Sequence, residues 1–128
     1  MISKLVSQLR AAEPSDLNSH LGCLFSSASA ERLIKEIAEA QAAGAEIVVG
    51  DGKHLRNLLQ PHVLKGVKPG TKLWERESFG PVLAIAEVDT VEEAIELARA
   101  NTYSLHDSVW SRDEKQGYEV ARQLNTCT

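Results

Sequence analysis

The stretch Gly80-Pro81-Val82-Leu83-Ala84-Ile85-Ala86-Glu87-Val88-Asp89-Thr90-Val91-Glu92-Glu93-Ala94-Ile95-Glu96-Leu97-Ala98 decides the fold. Gly80 and Pro81 open a strongly apolar run, Val82 to Val88, that reads as a strand. Thr90 and Glu93 follow with capping-box spacing, so a helix starts at once. It runs to about Ala100, with Val91, Ala94, Ile95 and Ala98 facing inward and Asn101 as its stop. Downstream, Ser108 to Trp110 reads as the next strand. Ser111 and Glu114 repeat the capping spacing and open a helix with Tyr118, Ala121 and Leu124 on one face. Such β-α-β-α alternation predicts parallel strands in a helix-covered sheet.

Upstream, Leu5, Val6 and Leu9 recur at helical spacing from Ser3 to Ala12, and Pro14 closes that segment. A Ser- and Asn-rich connection leads to a helix capped at Ser27 or Ser29. Its stripe is Leu33, Ile34, Ile37 and Ala40 or Gln41, and Gly44 stands at the position of a left-handed C-cap. The apolar run Ile47-Val48-Val49 before Gly50-Asp51-Gly52 suits a buried strand and turn. From Leu58 to Val67 the chain favours extended structure, with Pro61 restricting it to an edge or irregular position. The fold class is therefore α/β, a small, mostly parallel sheet flanked by helices.

The 128 residues suit a single domain, 1–128, and 43% hydrophobic with 25% charged residues is a globular composition. The net charge of −4, with acidic and basic residues interspersed, gives no footprint for nucleic acid. An apolar run of membrane-spanning length is absent, as is a signal-like leader, so no membrane partner is expected. Cys23 and Cys127 form no CxxC pair, which argues against zinc and a disulfide framework and for a reducing, cytoplasmic setting.

The segment Arg76-Glu77-Ser78-Phe79-Gly80-Pro81-Val82 resembles the Glu-x-Phe-Gly-Pro motif of the aldehyde dehydrogenase superfamily. The flanking segments support it in order and spacing, among them Ala43 to Gly50, Leu59 to Leu64, Val88 to Ala98, Asn101 to Leu105 and Ser108 to Asp113. The likeness covers almost the whole chain and looks closest to the vanillin or salicylaldehyde type. It implies a truncated aldehyde dehydrogenase catalytic domain, the part after the nucleophilic cysteine and before the final strands. In that family an aldehyde is oxidised by NAD or NADP through a cysteine thioester. The resemblance gives this chain neither that thiolate nor the dinucleotide-binding domain, so the isolated chain is expected to be inactive in that reaction, with no catalytic residue and no cofactor of its own.

By the same resemblance, Glu77 matches the glutamate that accepts hydrogen bonds from the nicotinamide-side ribose, and Phe79 the ring beside the nicotinamide. The alternative is a solvated acid and a packing ring in a fragment that holds no cofactor. Arg76 and Ser104 depart from the family pattern, which has an acid and a glycine there. Cys23, among Leu21, Leu24 and Phe25, reads as an inert thiol with a raised pKa, and Cys127 as an exposed one. His20, His54, His62 and His106 show no metal-ligand spacing and read mostly as surface residues. Two functions stay open: an aldehyde dehydrogenase-derived chain, or a standalone binding or scaffold module, or enzyme with new chemistry, on the former cofactor face. Either a homodimer or a complementing polypeptide would cover the apolar faces that a missing portion leaves.

Overall fold

Ser26 opens the longest helix: its hydroxyl accepts from the Ser29 N–H at 3.1 Å, and α2 runs Ser27–Ala42 in the computed structural model. The cap lies one residue ahead of Ser27 and three ahead of Ser29, the two serines expected. Gly44 takes φ 102° after the C-cap, the left-handed turn its position predicts. The structure describes residues 1–101, 103 and 105–124. It divides into two compact units, Met1–Glu87 and Val88–Thr128.

In the first unit a three-stranded sheet is ordered β1 (Glu46–Val49), β4 (His62–Lys65), β5 (Val82–Ile85). β4 and β5 are parallel, from His62 opposite Val82 to Lys65 opposite Ile85, joined through the short helix α3 (Lys72–Glu75). β1 is antiparallel to β4 because the chain returns through a small hairpin, β2 (His54–Leu55) and β3 (Leu58–Leu59). The sheet is therefore mixed. Ile37 and Ala40 of α2 pack with Ala45, Leu64, Val67 and Leu73 as the core.

Three expectations change here. The first helix, α1, spans only Ile2–Val6, because Ala11 leaves helical geometry to bridge Leu21, and the Gln60 side chain bonds both its N–H and its carbonyl. β1 is a half-exposed edge, with Val48 as the extra residue of a bulge between the Ile47–Leu64 and Val49–Val63 pairs. β4, expected at an edge or irregular position, is central: Pro61 lies just before it, so its missing N–H interrupts no ladder bond, and the His62 N–H donates to the Pro81 carbonyl at 2.8 Å.

In the second unit α4 (Val91–Arg99) begins as expected, with the Thr90 hydroxyl accepting from the Glu93 N–H at 3.1 Å. The Glu93 carboxylate accepts from the Asp89 N–H in return. Ile95 is its buried residue. No strand forms at Ser108–Trp110 among the described residues; Trp110 is 93% exposed there, without the ladder partner a strand requires. α5 (Glu114–Ala121) is capped by Asp113 rather than Ser111, since the Asp113 carboxylate reaches the Gln116 N–H and Ser111 only the Asp113 N–H. Its Tyr118 is exposed.

Candidate functional site: the turn before strand β5

α3 ends at Glu75, and the extended backbone of its C-cap Arg76 sends the chain into the turn that precedes β5. Glu77 is exposed, and none of the ion pairs among the described residues engages it. Phe79 has φ 41°, a left-handed conformation unusual for an aromatic residue, and the residue is 79% exposed. An aromatic ring held out in this way is available to a flat partner.

α2 grips the turn from below. The Arg32 guanidinium donates through Nη2 to the Ser78 carbonyl at 3.0 Å and through Nη1 to Glu36 Oε1 at 2.8 Å. A Cβ at Gly80 would overlap the buried Leu33 side chain, so only glycine lets the backbone lie against α2. Gly80 then accepts from the Val82 N–H at 2.8 Å and leads into β5. An apolar groove of about 260 Å³ opens beside Gly80 and Pro81, with Leu9, Leu21, Pro61 and Leu83 among its walls.

The structure thus brings Glu77 and Phe79 together on one exposed turn. At Cys23, partial burial pushes the thiol pKa up, and the Glu13 carboxylate raises it further by charge and hydrogen bonding. The direction of that shift is the one expected from the sequence; Cys127 and Ser104 lie outside the described residues. His62 is not a surface residue but is 1% exposed. The Gly52 N–H donates to its Nε2 at 2.9 Å, which leaves the proton on Nδ1 to reach the Gln60 carbonyl at 2.8 Å. Arg32 and Glu36 are the residues sequence reading missed. Their signal was there, because Glu36 falls three residues after Leu33 and four before Ala40, on the buried stripe.

The sequence profile of the aldehyde dehydrogenase family matches residues 1–128. Benzaldehyde dehydrogenase (NAD+) of Pseudomonas putida is 36% identical over 118 residues, which cover 92% of this chain and 24% of that protein. A vanillin dehydrogenase of Pseudomonas sp. is 33% identical, over 98% of this chain and 26% of its own length. Among solved structures, an NADP-dependent glyceraldehyde-3-phosphate dehydrogenase from Bacillus halodurans, complexed with NADP, superposes with a TM-score of 0.92 at 31% identity. It matches 99% of this chain and 26% of that one. A Mycobacterium tuberculosis aldehyde dehydrogenase complexed with NAD+ gives 0.89 at 33% identity, with 99% and 27% covered. Fold and sequence therefore define part of an α/β protein. The chain belongs to the aldehyde dehydrogenase family, and spans about a quarter of the length of the relatives it matches.

Proposed function

We propose that residues 1–128 form one partial catalytic domain of an aldehyde dehydrogenase, contributing the wall that meets the nicotinamide half of NAD or NADP. The observation that carries this reading is the joint exposure of Glu77 and Phe79 on a turn fixed from below by Arg32 and Gly80. The residues fit the group: an exposed carboxylate can accept from two ribose hydroxyls, and an exposed ring can lie against a flat heterocycle. When bound, the cofactor supplies the hydride acceptor for oxidation of an aldehyde to a carboxylic acid. Glu77 binds and orients the ribose, and Phe79 restricts where the ring can sit.

The 128-residue polypeptide is on this reading inactive alone. Its Cys23 thiol is held protonated by its surroundings, and its glycines form no GxGxxG phosphate loop. Thiolate and dinucleotide domain come from a complementing polypeptide or from further residues of a longer chain, in a reducing cytoplasmic compartment. Nicotinamide absorbance with a panel of aromatic and aliphatic aldehydes should show no turnover. Turnover abolished by Cys23→Ser would overturn the proposal. Calorimetry should give millimolar or weaker NAD affinity, at most about 4 kcal/mol of binding free energy. Ligand-observed NMR at millimolar NAD should show nicotinamide and ribose signals that Glu77→Gln weakens. A response indifferent to Glu77→Gln would remove Glu77 and Phe79 from the cofactor face.

A further inference from the structure

The Arg32–Glu36 pair is poorly arranged as a stabilising device. Arginine precedes glutamate at i,i+4, the less favourable order along a helix. Glu36 is 2% exposed, and its Oε2 has no hydrogen-bond partner among the described residues. A buried carboxylate with an unsatisfied oxygen carries a desolvation cost that an apolar side chain on the Leu33–Ile37–Ala40 stripe would avoid.

What the pair does achieve is directional. The guanidinium is a planar fork, and its two terminal nitrogens divide between Glu36 Oε1 and the Ser78 carbonyl. Without the carboxylate, this 41%-exposed side chain would be free to sample many rotamers. With it, the carbonyl immediately before Phe79 is tied to α2. That is where the chain needs support, because the left-handed φ of Phe79 persists only if its surroundings hold it.

We infer that Arg32 and Glu36 are positioning residues: Glu36 orients the Arg32 fork, and the fork sets the Ser78–Phe79 turn so that Glu77 and Phe79 are presented together. The role rests on the proposal that these two residues meet the cofactor. The test is the double variant Arg32→Met/Glu36→Leu of the 128-residue chain, by NMR relaxation and thermal unfolding without cofactor. The melting temperature should stay equal or rise, as expected when an apolar pair replaces a buried ionic one. The backbone order parameters of residues 78–80 should nevertheless fall from about 0.85 to below about 0.6. Unchanged order in the turn overturns the inference, as does a loss of order that only accompanies a lower melting temperature. If the double variant does not fold, Arg32→Lys keeps the charge and removes the fork; loosening of the turn then supports the inference and a rigid turn overturns it. Failure of the cofactor reading shows separately, as a response of the unsubstituted chain to millimolar NAD that Glu77→Gln leaves unaltered, and removes the functional meaning of the positioning.

Discussion

At Gly80 one hydrogen atom stands where any other side chain would enter the space of Leu33, and at Gly50 a Cβ would enter the His62 ring. Both glycines are places where backbone lies directly on a packed side chain, and Gly50 adds φ 106°. The sequence shows Gly80 as part of a motif but not what it touches, because its partner lies 47 positions earlier. His62 was hidden for another reason: a polar residue at a buried position reads as a surface residue until its partner, here the Gly52 N–H, is brought in by the fold, whereas Glu36 has Arg32 one turn earlier on the same helix and its place on the stripe was legible. Cys23 was legible, since its apolar neighbours alone argue for a raised thiol pKa. Partial burial and then Glu13 push in the same direction, so the thiolate fraction near neutral pH is small. A folded-state pKa above the unfolded one also means that the protonated thiol's contribution to stability is present below the unfolded pKa and lost as pH rises through the folded one. In a Cys127→Ser background, iodoacetamide should alkylate Cys23 more slowly than an unstructured cysteine peptide, with its rate–pH midpoint displaced upward. Glu13→Gln should bring that midpoint back down; a midpoint at or below the peptide's would mean that Cys23 is an activated thiol.

Helix starts were the elements most open to reading, because a cap is a local event. The Thr90 hydroxyl accepts from the Glu93 N–H and the Glu93 carboxylate from the Asp89 N–H, all within five residues of chain, and Thr90→Ala should cost about 1 kcal/mol, read as a lower midpoint in urea with unchanged slope. A variant as stable as the parent would show that α4 starts elsewhere in solution. Ser111 misled because Asp113, two residues on, is an equally good cap and lies closer to the helix. Strands were harder, since a strand exists only with its neighbour. Val82–Ile85 forms because β4 lies beside it, whereas the equally plausible Ser108–Trp110 has no ladder partner among the described residues. The reversal of β1 against β4 depends on the 54–59 hairpin, whose two-residue strands are too short to carry a periodic signal.

At the scale of the whole molecule, the sheet of the first unit has two outer strands, β1 and β5, and neither has a further strand beside it among the described residues. The same unit carries Leu17, Phe25 and Leu55 at 98%, 99% and 72% exposure, besides the Phe79 ring. Isolated apolar residues at a surface are ordinary, but open strand edges together with an apolar groove beside one of them are where chains associate. β1 is partly protected by its bulge, which breaks the regular spacing another strand would need. β5 is regular along its four residues and lies next to the groove, so its outer edge is the more competent of the two. A symmetric pair is the commonest way for one chain to cover such a surface with another copy of itself. We therefore expect the 128-residue polypeptide to sediment at twice its 14.0 kDa mass at micromolar concentration, under reducing conditions that exclude a Cys127 disulfide. Leu83→Lys, which places a charge in the groove wall on β5, should shift it toward monomer without loss of helix signal. A 14.0 kDa species that unfolds cooperatively would favour a standalone module over a segment that needs a second copy or a complementing polypeptide.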